Sequence, residues 1–259
     1  MGLERYFRGK QAHLLAQPKP VEAVKKLSEI LPLKARAENE LGYYGVQNPW
    51  SVINGRDVKI HEMVLFLVTY YCVKGCVIFD PTCGKENYQF REILDVIEYL
   101  GYRYISADIE PYGDIVHDVL GGLPLREGSI DLILYDPPYL PYARLDDRGS
   151  DYAVDVERSV LDVKKFYGMG VFKEFHRVLR DGGVLIVKGA DFYDPVCSDN
   201  LYLFLTDIVD VQEVKRYFKP TALYIYRYFH RINALYRFRL KNRRRPVLTH
   251  TYFLVLKKQ

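Results

Sequence analysis

The sequence predicts an α/β fold in which a mostly parallel, Rossmann-like sheet carries helices on both faces. Two observations support this prediction: short strand patterns alternate with helical patterns, and polar motifs directly follow the strand ends. With 259 residues, of which 49% are hydrophobic and 27% charged, the chain can bury one core with additional segments. This composition excludes disordered, collagen-like and disulfide-dense proteins.

The elements follow from hydrophobic periodicity and turn residues. Residues 1–56 form a polar N-terminal extension with one helical pattern at 21–31, and the main domain covers 57–259 with insertions at 140–170 and 219–247. Helices are expected over 60–71, 90–100 and 171–179. Strands are expected over 77–79, 102–107, 130–135, 184–188 and 251–256, with a turn over 180–183.

The four cysteines, Cys72, Cys76, Cys83 and Cys197, are too few for a disulfide scaffold in a chain of this length. Their spacing is not that of a zinc site, so we expect buried thiols and no metal. The longest apolar run, around 63–73, is too short to cross a bilayer. We therefore expect a cytoplasmic protein without membrane partners.

The net charge of +4 hides an uneven distribution. Residues 226–245 hold eight Lys or Arg and no acid, and aromatic rings are interleaved with them. Guanidinium groups neutralise phosphates and aromatic rings stack on unpaired bases, although an amphipathic helix packed on the body would also fit. The predicted nucleic-acid contacts are Arg227, Arg231, Arg237, Arg239, Lys241, Arg243, Arg244 and Arg245.

Three short motifs follow the first three strands. The first is Asp80-Pro81-Thr82-Cys83-Gly84, where a glycine lets the backbone approach a ligand closely. Asp108, followed by Ile109, ends the next strand and can accept hydrogen bonds from ribose hydroxyls, and Asp118 after the third strand can accept from an adenine amino group. Each motif alone also fits an ordinary turn or a solvent-facing acid.

The fourth motif, Asp136-Pro137-Pro138-Tyr139, is more specific. A carboxylate beside a carbonyl in a rigid two-proline turn forms a pair of acceptors for an exocyclic amino group. The ring of Tyr139 can stack on the base that carries this amine. We expect these four residues to receive the target.

The four motifs, in this order and together with the stretches 177–188 and 249–257, resemble those of the S-adenosylmethionine-dependent amino-methyltransferases of DNA and RNA. They are most similar to those of the N6-adenine and N4-cytosine DNA methylase group. The resemblance implies a seven-stranded class I methyltransferase sheet, with 80–84, Asp108, Ile109 and Asp118 at S-adenosylmethionine and 136–139 at the target base. Glu86 stands where that family usually has a second glycine.

These features predict methyl transfer to an exocyclic amine of a nucleic-acid base, with adenine N6 in DNA as the first choice. Guanine N2 or adenine N6 of tRNA or rRNA is the main alternative. Two further alternatives remain: a small-molecule or protein-glutamine methyltransferase, and a binding module without catalysis. The binding module is considered because Glu86 replaces the second glycine of the first motif. The chain shows no separate target-recognition segment, so we expect a short DNA site or a partner subunit that supplies specificity.

Overall fold

The computed structural model describes residues 50–54, 59–85, 90–137, 166–189, 192–193, 202–203, 212–227 and 250–259. The strands in these ranges are β1 (Trp50–Asn54), β2 (Val77–Asp80), β3 (Arg103–Asp108), β4 (Ile115–Val116), β5 (Ile130–Tyr135), β6 (Leu179–Gly189), β7 (Phe192–Tyr193), β8 (Tyr202–Leu203), β9 (Phe218–Arg227) and β10 (His250–Lys258). The helices are α1 (Ile60–Tyr71), α2 (Leu94–Tyr99), α3 (Met169–Val178) and α4 (Gln212–Tyr217), and a 3-10 turn spans Val119–Gly121.

Eight strands form one mixed sheet in the order β1-β9-β10-β6-β5-β2-β3-β4. β10 is antiparallel to both of its neighbours, and the other pairs are parallel. The seven strands from β9 to β4 have the order and the single reversed strand of a class I methyltransferase sheet. The predicted fold class is therefore confirmed.

The eighth strand comes from the segment predicted as an N-terminal extension. β1 pairs in parallel with β9, with Trp50 opposite Leu223 and Asn54 opposite Arg227. The boundary predicted after residue 56 is wrong at this point, since 50–54 belong to the sheet. The insertion predicted at 219–247 also starts too early, because β9 continues to Arg227. Pro220 lies at a bulge in the β9–β10 pairing, and the strand continues past it.

Alternating side chains of the sheet enter two separate cores. Ile78, Leu132 and Ile186 pack in one core with α1 and α2, and Phe79, Ile133 and Leu185 pack in the other with α3 and α4. Both layers are buried, as expected for parallel strands with helices on each side. Some of the chain's aromatic residues lie in these cores. Among the buried aromatic side chains are Phe172, Phe175, Phe218, Tyr135 and Tyr224.

Several predicted boundaries shift. Only Leu94–Tyr99 of the helix predicted over 90–100 is helical, and α3 begins two residues early, at Met169. The predicted turn 180–183 lies inside β6 as a bulge, because Ile130 pairs with Leu179 and Leu132 with Val184. Gly182 has a φ of 71° there, a value that glycine tolerates.

The cysteine prediction is half right. Cys83 is a buried free thiol, whereas Cys72 and Cys76 form a disulfide across the turn after α1. Cys197 lies outside the described residues. In the part of the chain that the structure describes, no group of three His, Cys, Asp or Glu side chains could hold a metal ion. None of the described helices is long and apolar enough to cross a membrane.

Candidate functional site

The strand register brings the predicted motifs to one edge of the sheet. Asp80 at the end of β2 pairs with Ser106 in β3, so Asp108 lies two residues farther toward this edge. Tyr135 pairs with Val187, which places Asp136 level with Lys188. Ligands of such sheets bind beyond the carboxyl ends of the strands, so we call this edge, with Thr82, Gly84, Asp108, Asp136 and Lys188, the carboxyl edge.

Asp80 supports the first turn from inside. Its side chain is fully buried, and its carboxyl accepts from the Thr82 backbone N–H at 3.1 Å and from the Tyr104 hydroxyl at 3.1 Å. Burial raises the pKa of Asp80 to about 8, and the negative charge of Asp136 adds to this effect, while the Thr82 hydrogen bond opposes it. Pro81 and Cys83 are also buried, so Thr82 and Gly84 are the residues of this motif that are partly exposed.

Asp108 holds the same turn from the next strand. Its carboxylate accepts from the Gly84 backbone N–H at 2.9 Å and from the Glu110 N–H at 3.0 Å. Gly84 has a φ of 64°, a conformation that costs glycine little but strains other residues. An ionised carboxylate has about four acceptor positions, so Asp108 keeps capacity for ligand hydroxyls.

Two further predicted cofactor residues lie beyond β3 and β4. Ile109 is 64% exposed, which leaves its apolar side chain open to solvent beside Asp108. Asp118 is exposed and caps the 3-10 turn, since its carboxylate accepts from the Leu120 N–H at 2.9 Å.

Asp136 follows β5 and forms an ion pair that the sequence did not reveal. Its Oδ2 lies 2.6 Å from Nζ of Lys188 in β6, and the two side chains are 14% and 4% exposed. The backbone N–H of Asp136 donates to the Thr82 hydroxyl at 3.1 Å, which joins the first and fourth motifs directly. Pro137 is buried beside them.

The chain is related to known proteins by fold alone. No protein-family model matches it, and no curated protein matches its sequence. A Pyrococcus horikoshii protein is 16% identical with a TM-score of 0.45, and the alignment covers 78% of this chain and 90% of that one. A TehB-like S-adenosylmethionine-dependent methyltransferase from Corynebacterium glutamicum is 13% identical with a TM-score of 0.44, over 93% of this chain and 100% of that one. A Thermus thermophilus protein assigned as a candidate DNA modification methylase, in complex with S-adenosylmethionine, is 19% identical with a TM-score of 0.36, over 54% and 49%.

The remaining predicted site residues fall outside the described ranges. They are Pro138, Tyr139 and the cations at 231, 237, 239, 241, 243, 244 and 245, and the same is true of Glu86 and of residues 140–165. Arg227 is the last residue of β9. Their roles stay predictions.

Sequence reasoning missed Thr82 and Lys188 as parts of the site's internal bonding. Thr82 was taken only as one member of a cofactor-binding turn, and its hydroxyl bond to Asp136 could not be read from a local motif. Lys188 did give a signal: it is a lysine directly after Val184–Val187, a run that reads as a buried strand. A charge at such a position needs a partner, and that requirement could have identified it.

Proposed function

We propose that this chain is an S-adenosylmethionine-dependent methyltransferase that acts on an exocyclic amine of a nucleic-acid base, with adenine N6 in DNA as the first choice. The observation that carries this proposal is the hydrogen-bonded junction at the carboxyl edge. There, the turn that Asp108 holds through Gly84 is bonded through Thr82 to Asp136, the first residue of the two-proline motif.

The described side chains fit a nucleoside cofactor. Asp108 retains acceptor capacity for two neighbouring hydroxyls, and the exposed Ile109 beside it offers an apolar surface for a flat heteroaromatic ring. Asp118 supplies an acceptor for an amino group on such a ring. S-adenosylmethionine, when bound, supplies an electrophilic methyl group. The site itself holds the reactants and excludes water, and no residue has to act as a nucleophile.

The target amine would be held by Asp136 and the Pro137 carbonyl. Two acceptors fix the two N–H bonds of an amino group, which directs the nitrogen lone pair away from them. These acceptors also favour the positive charge that develops as the nitrogen is alkylated. The base would be turned out of its stack to reach this position, with Tyr139 as the stacking partner.

The topology supports a nucleic-acid partner. β9 and β6 run in the same direction, because both are antiparallel to β10. Arg227, at the end of β9, and His250, at the start of β10, therefore lie at the same end of the strands as Lys188. The connection 228–249, which contains the other seven predicted cations, therefore leaves and re-enters the sheet at the carboxyl edge. Phosphate contacts from this connection would hold a nucleic acid beside the acceptor pair.

Transfer of a labelled methyl group to DNA, tRNA and rRNA, followed by mass analysis of the nucleosides, tests this function. We expect N6-methyladenine in DNA. Label in RNA alone would replace the first choice with the RNA alternative. Cofactor binding without label in either would indicate a small-molecule or protein-glutamine methyltransferase, and absence of cofactor binding would indicate a binding module without catalysis.

Asp108→Ala should abolish transfer in the same assay and weaken cofactor binding, measured by calorimetry, by about tenfold or more, because charged hydrogen bonds are lost. Glu98→Gln, which removes an exposed acid from α2, is the matched control and should change neither quantity. Unchanged cofactor affinity in Asp108→Ala would exclude the role given to this residue.

A further inference from the structure

The Lys188–Asp136 ion pair is unusual for its place in the fold. Lys188 lies in β6, between β5 and β10, directly after four buried apolar residues, and it pairs with the buried Phe253. Its side chain is 4% exposed, and its ammonium lies 2.6 Å from Oδ2 of Asp136. Removing two charges from water costs several kcal/mol per ion before their attraction repays it. Stability alone therefore does not account for a lysine at this position.

Two further acidic side chains lie at the ends of the nearby strands β2 and β3. Asp80 at the end of β2 is fully buried and accepts from Tyr104 of β3, and Asp108 follows on the same strand. Burial and the charge of Asp136 raise the pKa of Asp80 to about 8, so Asp80 is mainly protonated at neutral pH. With Asp80 protonated, the charges of Asp136 and Lys188 balance each other within the ion pair.

We propose that Lys188 is a positioning residue for methyl transfer, a proposal that rests on the function proposed above. Its ammonium donates to Oδ2 of Asp136 and holds the side chain in place, so that the carboxylate is oriented as an acceptor for the target amine. Without Lys188 the buried carboxylate would lose the cation that compensates its charge and the donor that fixes its orientation.

Four variants test this proposal: Lys188→Met, Lys188→Arg, Asp136→Asn and the double variant Lys188→Met/Asp136→Asn. The double variant is uncharged and keeps an amide oxygen as acceptor, so it should fold even if Lys188→Met does not. The measurements are kcat and the KM for nucleic acid. The value of kcat is expressed per molecule that binds S-adenosylhomocysteine in calorimetry. Lys257→Met, which removes an exposed lysine from the neighbouring β10, is the matched control.

We expect Lys188→Met to lower kcat about tenfold or more, a loss of at least about 1.4 kcal/mol of transition-state stabilisation, with little change in KM. Lys188→Arg should retain several times more activity than Lys188→Met. The double variant should be more active than Lys188→Met, because the defect arises from the uncompensated carboxylate and disappears with it.

The outcomes separate the two proposals. If the unmodified chain binds the cofactor but methylates no nucleic acid, the proposed function fails and this inference with it. If the unmodified chain is active and Lys188→Met has the same kcat per cofactor-binding molecule, only the positioning role is overturned. It is also overturned if the losses of the two single variants multiply in the double variant, since the two side chains would then act independently.

Discussion

Asp80 is a carboxyl group that the fold keeps protonated near neutral pH. Its two hydrogen-bond partners, the Thr82 N–H and the Tyr104 hydroxyl, do not offset the cost of removing a charge from water, and Asp136 repels a second negative charge. The sequence placed Asp80 correctly at a strand end. It did not reveal that the side chain points inward, because solvent exposure is set by neighbouring strands that are distant in the chain.

The raised pKa of Asp80 predicts how stability changes with pH. Between about pH 4 and pH 8 the folded state keeps a proton that the unfolded chain has released, so the free energy of unfolding falls as pH rises. The slope is at most about 1.4 kcal/mol per pH unit from this group, and it ends near the raised pKa. Urea unfolding at several pH values should show the slope in the unmodified chain and in the control Glu98→Gln. Asp80→Asn should remove it, and an unchanged slope in Asp80→Asn would contradict the assignment.

At the scale of elements, Arg177 and Glu174 of α3 bind the connection between β4 and β5 through hydrogen bonds to its backbone. We call these two side chains the clamp. Arg177 donates to the carbonyls of Leu125 and Leu123, both at 2.8 Å, and Glu174 accepts from the Leu123 N–H at 3.0 Å. The Arg177 hydrogen bond is the main cause of the lowered pKa of Glu174. The helix was predictable from its apolar spacing, but the clamp was not, since it joins side chains to backbone groups about 50 residues away.

Arg177→Met should therefore destabilise the fold by about 1–3 kcal/mol, because two carbonyls and the Glu174 carboxylate lose a charged donor. Urea unfolding measures the loss. Hydrogen exchange should increase first in the segment 119–125, which the clamp holds. Lys173→Met, an exposed change on the same helix, should leave both quantities unchanged. Equal stability of the two variants would show that the clamp contributes little.

At the scale of the whole molecule, the sheet continues into the N-terminal segment. β1 covers the edge of β9, which would otherwise expose unpaired backbone groups along its length. A chain that begins at residue 57 lacks this cover and should unfold at a lower temperature than one that begins at residue 48. Light scattering should also show more association of the shorter chain. Identical melting and scattering of the two chains would mean that β1 is dispensable.

The sequence predicted the main strands because their apolar runs are continuous, and it predicted the carboxyl edge because parallel strands end there. It missed β1, whose sequence Trp-Ser-Val-Ile-Asn is short and is separated from its partner β9 by more than 160 residues. It also missed the Cys72–Cys76 disulfide and the Lys188–Asp136 ion pair. The ion pair depends on which side chains meet across the fold, and local periodicity carries no information about that. The disulfide joins two residues only four apart, but their spacing did not distinguish a bond from two buried thiols.

The hydrogen bond from the Asp136 N–H to the Thr82 hydroxyl has a thermodynamic consequence. It joins the turn after β2 to the turn after β5, so a ligand that orders one turn changes the free energy of ordering the other. Such coupling is reciprocal: whatever factor a ligand at the first turn adds to affinity at the second, a ligand at the second adds to affinity at the first. Cooperativity between ligands at the two turns would then depend on one threonine hydroxyl.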